Sequence, residues 1–170
     1  MKITGGILRG RLISFRKHAS VRPTASRVRE AVFSMLGQEL TNRRFLDAFG
    51  GSGIMGIEAY SRGAKTTICE KDFKTAAFIR STLKKLDADI DVLNKPVPKA
   101  LGDRTWQDIF LDPPYAEAPQ LWLDRLAAYA DERIIIEFHH RWALPVLPTP
   151  WQLERNARYG DSCIAIYTRG

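Results

Sequence analysis

The sequence predicts a doubly wound α/β fold: a mostly parallel sheet with helices on both faces, closed by an antiparallel C-terminal hairpin and preceded by a basic arm. Three observations carry that prediction. From Phe45 onward, short apolar or β-branched runs alternate with stretches at helical spacing, the pattern of repeated strand–helix units. The first run ends in a glycine cluster that opens into a helical stretch, as at the ligand crevice of such sheets. The last two runs alternate around Tyr159-Gly160-Asp161, a hairpin signal that adds an antiparallel edge.

The elements follow in order. Ile3 to Phe15 alternates loosely between apolar and basic residues, which predicts a small hairpin or an extended arm. Pro23 marks a turn. From Ser26, the residues Val28, Ala31, Val32, Met35 and Leu36 fall at helical spacing, and Gly37 is a stop. This helix is expected to bury one face and leave Arg27 and Arg29 free. Phe45 to Phe49 reads as a strand, Ile54 to Arg62 as a helix ended by Gly63, and Thr66 to Glu70 as a β-branched strand. Lys74 to Leu86 is a helix with Ala77, Phe78, Ile79, Leu83 and Leu86 on its apolar face. Ile90 to Leu93 and Asp108 to Leu111 are the third and fourth strands, followed by a helix from Pro119 to Ala130. Three consecutive isoleucines within Arg133 to Phe138 predict a strand covered on both faces. The expected division is a basic arm, residues 1–44, packed on a core domain, residues 45–170.

The net charge of +7 is concentrated. Residues 1–44 hold ten Lys and Arg against Glu30 and Glu39, leaving +8, while the remainder carries sixteen basic and seventeen acidic residues, leaving −1. A basic segment beside a neutral body is the electrostatic footprint of a polyanion binder, so nucleic acid is the expected partner. Arg9, Arg11, Arg22, Arg27 and Arg29 are the candidate contacts. No apolar run approaches the roughly 18 residues of a membrane span, and the opening residues carry no signal-peptide core. Cys69 and Cys163 sit in separate apolar runs and predict two buried thiols, not a disulfide. The three histidines have no metal-ligand spacing with the cysteines, so no metal site is expected. These features predict a cytoplasmic, monomeric protein.

Two motifs carry chemistry. Asp112-Pro113-Pro114-Tyr115 follows the fourth strand, and each proline fixes its own φ and restricts the residue before it. The corner presents a carboxylate, a free carbonyl and an aromatic face at one point. Those groups suit the holding of a planar ring by stacking while two acceptors grip its exocyclic amine. The second motif is Asp47-Ala48-Phe49-Gly50-Gly51-Ser52-Gly53, where glycines let a ligand lie against the backbone at a helix N-terminus. Gly51 to Gly56 also fits G-x-G-x-x-G, with the acid Glu70 19 residues after Gly51, so a dinucleotide is an alternative ligand. Asp47 argues against it, because a carboxylate there repels a pyrophosphate but pairs with an ammonium. S-adenosylmethionine has the amine and the ribose without the phosphate.

At this point the residues resemble a known family. Asp47 to Gly53 resembles the first motif of class I methyltransferases, whose fold is Rossmann-like, and Asp112 to Tyr115 resembles the motif of enzymes that methylate exocyclic amines. More narrowly, the chain resembles the bacterial 16S rRNA guanine-N2 methyltransferases of the RsmD type. The resemblance rests on Gly5-Gly6…Arg9-Gly10, on Arg22-Pro23-Thr24…Arg27-Val28-Arg29-Glu30-Ala31-Val32-Phe33, on Leu46 to Ala64, and on Tyr159-Gly160-Asp161. It implies S-adenosylmethionine as donor and a guanine N2 in small-subunit rRNA as acceptor, on assembled or assembling small ribosomal subunits. It implies that Asp47 and the Gly51 and Gly53 backbone bind the methionine portion, that Phe49 and Ser52 also belong to the cofactor site, that Glu70 holds the ribose, that Asp112 and the Pro113 carbonyl contact the target amine, and that Tyr115 stacks on the base. Gly50 stands where the family more often has alanine, a change expected only to loosen the loop. Methylation of an exocyclic amine in DNA is the alternative.

Overall fold

The computed structural model describes residues 1–14 and 26–170. Seven strands form one sheet in the order β3-β2-β1-β4-β5-β7-β6. They are β1 (Arg44–Asp47), β2 (Lys65–Cys69), β3 (Asp91–Leu93), β4 (Trp106–Leu111), β5 (Ala130–His139), β6 (Trp151–Tyr159) and β7 (Ser162–Arg169). The first five are parallel, and β7 joins β5 antiparallel with β6 beside it. The helices are α1 (Ser26–Leu36), α2 (Ile54–Ser61), α3 (Phe73–Leu86) and α4 (Pro119–Leu126). Two cores result, one on each side of the sheet. Residues of α1, α2, α3 and the first 13 positions pack on one face, and α4 with Leu101 and Trp106 on the other. The isoleucines of β5 explain why that strand reads as continuous apolar sequence: Ile135 enters the first core while Ile134 and Ile136 enter the second. No helix among the described residues is long and apolar enough to cross a membrane.

The opening residues fold back on themselves, with Lys2 bridged to Leu12 and the Ile3 amide donating to Arg11 at 3.0 Å. A buried charge cluster ties them to α2. Glu58 is wholly buried, and its carboxylate accepts from the Thr4 amide and hydroxyl, both at 2.9 Å, and from Arg62 Nη1 at 2.5 Å.

Arg29 completes that cluster, which corrects the expectation that it lies free. It is 2% exposed, its Nε is 3.5 Å from Glu58 Oε1, and its Nη2 donates to the Lys2 carbonyl at 3.0 Å. The cause is helical geometry: Arg29 lies one turn from Val32 and Phe33, on the face that α1 buries. Arg27 is exposed on the same helix. Cys163 is also corrected: Cys69 is buried, but Cys163 is only half-buried.

At the opposite end of the strands from the glycine corner, Asp108 is fully buried between Arg43 and Arg133, which donate to it at 2.6 and 2.5 Å. Asp108 pairs with Phe45 at the start of β1. This clamp fixes β1 against β4 and so sets how their other ends meet.

Candidate active site

The ends of β1 and β4 lie side by side. Asp47 pairs with Phe110, and the Ala48 amide donates to the Phe110 carbonyl at 3.0 Å. Beyond them lies a small cleft lined by Asp47, Phe49, Gly51, Ser52, Met55 and Asp112, among others. The glycine corner and the first residue of the proline corner therefore share one space. A wider groove between α1 and β6, lined by Met35, Arg155 and Tyr159, has neither corner.

Asp47 is 1% exposed, and its Oδ2 accepts from the Gly56 amide in the first turn of α2 at 3.1 Å. Burial pushes its carboxyl up to about 7, against the opposing pull of the Gly56 and Phe49 amides. A ligand ammonium in the cleft would favour the charged form. Burial likewise pushes the Cys69 thiol to about 12, so it stays protonated.

Within the glycine corner, Gly50 is the residue whose missing Cβ matters most. A Cβ there would stand 2.6 Å from Ile68 Cγ2 and 3.1 Å from the Cys69 carbonyl. Ile68 is buried and β-branched, so it has little room to turn aside. The expectation that glycine merely loosens the loop is corrected: with Ile68 beneath it, a Cβ at this position would force Ile68 or the loop to shift, and as glycine the residue sits close on β2, its amide donating to the Cys69 carbonyl at 2.7 Å. Gly53, at φ 75°, turns the chain into α2.

Glu70 follows β2 directly. Its carboxylate accepts from the Gly51 and Asp72 amides, each at 2.8 Å, so it braces the glycine loop, and it lies outside the cleft-lining residues. Asn94 donates to the Glu70 carbonyl at 2.8 Å and joins the end of β3 to that loop. Phe49 meets Trp122 edge-on, with ring centroids 4.8 Å apart.

Tyr115 lies outside the cleft-lining residues and is half-buried. Its hydroxyl is 3.1 Å from Ser162 Oγ, its ring meets His139 edge-on at 5.4 Å, and its carbonyl accepts from Arg141 Nη2 and from Trp142 Nε1. None of these four neighbours was singled out from the sequence. The pairing of β5 with β7 sets His139 opposite Ser162, and Arg141 and Trp142 follow in the turn after β5. Donor atoms of His139, His140 and Asp161 also come within 4.8 Å of one another, a grouping that sequence spacing hides. The Arg141 amide already donates to His139 Nδ1, and His140 Nε2 faces Asp161 at 3.6 Å.

Of the candidate nucleic-acid contacts, Arg9, Arg11 and Arg27 are exposed, and Arg11 donates to the Lys85 carbonyl at 3.4 Å. Arg29 is buried, and Arg22 lies outside the described residues.

The model of a family described as Conserved hypothetical protein 95 matches residues 1–168. Ribosomal RNA small subunit methyltransferase D of Escherichia coli (strain K12) is 32% identical over 178 residues, spanning 99% of this chain and 90% of the relative. The solved structure of yhhF from Escherichia coli has a TM-score of 0.86 at 30% identity, covering 99% of this chain and 97% of that one. Magnesium protoporphyrin IX methyltransferase (ChlM) from Synechocystis PCC 6803, solved with bound SAM, shares the fold alone, with a TM-score of 0.69 at 15% identity over 85% of this chain and 79% of that one. The sheet order and these neighbours make the fold that of the class I methyltransferases.

Proposed function

We propose, from the premise that this chain belongs to the family described as Conserved hypothetical protein 95, that it transfers a methyl group from S-adenosylmethionine to the exocyclic N2 amine of a guanine in 16S rRNA. The observation that carries this reading is the single cleft shared by Asp47 and Asp112 at the ends of adjacent strands. The name of the Escherichia coli relative, an rRNA small-subunit methyltransferase, supports the substrate class.

The residues fit the donor. Asp47 offers a buried carboxylate for an ammonium, the glycine corner offers backbone amides at the α2 N-terminus, and Glu70, which holds the Gly51 amide, is the acid assigned to the ribose hydroxyls. When bound, the cofactor supplies an electrophilic methyl group on a sulfonium.

The acceptor is a poor nucleophile, because its lone pair is delocalised into the purine ring. Asp112 Oδ and the Pro113 carbonyl accept the two N–H bonds of the amine. That grip pulls the nitrogen toward tetrahedral geometry and frees its lone pair, which forms the N–C bond as the C–S bond breaks to leave a neutral thioether; the surplus amine proton goes to Asp112 or to water. Alignment of this kind is worth on the order of 7–11 kcal/mol in oriented intramolecular reactions, and the Asp112 carboxylate stabilises the positive charge that develops on nitrogen. Tyr115 supplies the ring on which the base stacks. The base must leave any helix it occupies to reach the corner, which favours an unstacked RNA loop. Arg9, Arg11 and Arg27 supply phosphate contacts that position the RNA without reading its sequence.

The test is tritium transfer from labelled S-adenosylmethionine to 30S particles, free 16S rRNA and duplex DNA. Labelling of guanine N2 in the rRNA or the particle supports the reading. Labelling of DNA alone, or of no acceptor, overturns it. A thermal-shift screen in parallel should find stabilisation by S-adenosylhomocysteine and none by NAD.

A further inference from the structure

The face of Tyr115 is useful only if its ring is held still, and the residues that hold it come from the far end of the chain. Two prolines fix the backbone before Tyr115, so rotation of its own side chain is the main freedom left. Two contacts restrain the ring, one beside it and one at its hydroxyl. His139 abuts it edge-on at an interplanar angle of 80°. Ser162 Oγ meets the hydroxyl at 3.1 Å.

The direction of the hydrogen bonds follows from counting protons. Ser162 has one hydroxyl proton, and it is given to Glu137 Oε1 at 2.7 Å. The Tyr115 hydroxyl must then donate to Ser162. The chain Tyr115 to Ser162 to Glu137 runs inward, away from the cleft, and ends on a carboxylate. Ser162 is 7% exposed and Glu137 4%. Burying a carboxylate is costly unless its hydrogen bonds offset the loss of water. One oxygen of that carboxylate accepts from the Ser162 hydroxyl and, through it, is linked to the Tyr115 ring.

We propose that Ser162 is a positioning residue for methyl transfer: oriented by Glu137, its hydroxyl locks the Tyr115 ring in the attitude that the target base stacks upon. The proposal rests on the reading of Tyr115 given under the proposed function. It adds that the phenolic hydroxyl serves the protein and not the substrate. It also assigns work to the β5–β7 pairing, which places Ser162 opposite His139 and beside the Tyr115 hydroxyl.

A double-mutant cycle tests this. Wild type, Ser162→Ala, Ser162→Thr, Tyr115→Phe and the Tyr115→Phe/Ser162→Ala double variant are assayed for kcat and KM on the acceptor that wild type methylates. Affinity for S-adenosylhomocysteine is measured by calorimetry. Ser162→Ala should lower kcat about fivefold to tenfold, the scale of one lost hydrogen bond, with cofactor affinity unchanged. Ser162→Thr, which keeps the hydroxyl, should recover kcat to within about twofold. Tyr115→Phe should lose as much as Ser162→Ala, and the double variant no more than either.

The role is overturned if Ser162→Ala keeps wild-type kcat, if the two losses multiply, if threonine fails to rescue, or if cofactor affinity falls in step with kcat. Should Ser162→Ala not fold, Tyr115→Phe decides alone, and wild-type kcat in that variant overturns the role. Failure of the wild type to methylate any acceptor overturns the function, and the role with it. Transfer by the wild type with no effect of Ser162→Ala overturns the role alone.

Discussion

Replacing Asp47 by asparagine should make the free protein more stable in alkaline solution while removing its hold on the cofactor. Burial raises the Asp47 carboxyl to about 7, whereas in an unfolded chain it titrates near the ordinary aspartate value. The folded state therefore binds a proton more tightly than the unfolded one. Stability from that proton is complete below the unfolded value and is lost as pH rises through the folded value. Between about pH 5 and about pH 8 the loss integrates to on the order of 3 kcal/mol. Asparagine is isosteric, can still accept from the Gly56 amide, and does not titrate.

Urea unfolding of both proteins at the two pH values measures the effect. All other titrating groups are common to the pair, so the difference between variant and wild type isolates Asp47. Its stability relative to wild type should rise by on the order of 3 kcal/mol from the acidic to the alkaline condition. A difference that stays constant across pH would refute the reasoning. Calorimetry with S-adenosylhomocysteine reads the other half of the linkage. Wild-type affinity should fall about tenfold for each unit below pH 7, because only ionised Asp47 pairs with the ligand ammonium. In the variant, affinity should be weak and flat with pH.

Asp112→Ala should abolish methyl transfer and leave S-adenosylhomocysteine affinity within about twofold of wild type; turnover at the wild-type rate contradicts its role. Arg27→Glu should weaken RNA binding, and the slope of log affinity against log salt should flatten by about one to two units, read by filter binding across a salt titration. An unchanged slope removes Arg27 from the interface. Glu58→Ala leaves Arg29 and Arg62 as buried, uncompensated charges, and should cost about 3–5 kcal/mol in denaturant unfolding. A loss under about 1 kcal/mol would mean that the cluster contributes little to holding the opening residues on α2. Gly50→Ala should cost about 1–3 kcal/mol from the clash with Ile68, and a combined Gly50→Ala/Ile68→Ala variant should lose less than the two single losses together.

The sheet was legible because its signals are local. β-branched runs, glycine stops and helical spacing each occupy a few neighbouring residues, and every strand appears within a few residues of where its pattern lies. The two corners were legible for the same reason. What the sequence hid was the allocation of charge. Arg27 and Arg29 look alike in a list of basic residues, yet Arg29 meets Glu58 across 29 positions of chain and Arg27 faces solvent. The helical wheel held a clue, since Arg29 shares a stripe with Val32 and Phe33. Arg43 was counted with the arm's positive excess, but it clamps Asp108. The surroundings of Tyr115 were hidden for a different reason. Ser162 and His139 become neighbours only through antiparallel pairing of β7 on β5, and no short motif encodes that register.

The buried carboxylates separate structural from chemical use of charge. Glu58 sits within salt-bridge distance of Arg29 and Arg62, and Asp108 within that of Arg43 and Arg133. In each case arginines offset the desolvation of the anion, and the clusters lie under the opening residues and at the far end of the strands. Asp47 is as deeply buried, but the hydrogen bonds that hold it come from the backbone amides of Gly56 and Phe49. Amide dipoles offset less than a full charge does, and the carboxyl stays near neutrality at ordinary pH. A fold that supplies two arginines each to Glu58 and Asp108 has the means to supply one here. Under the proposed function, leaving Asp47 with backbone amides keeps the site at higher free energy until a cation enters, and the stability forgone in the free protein would return as affinity for a ligand that carries one.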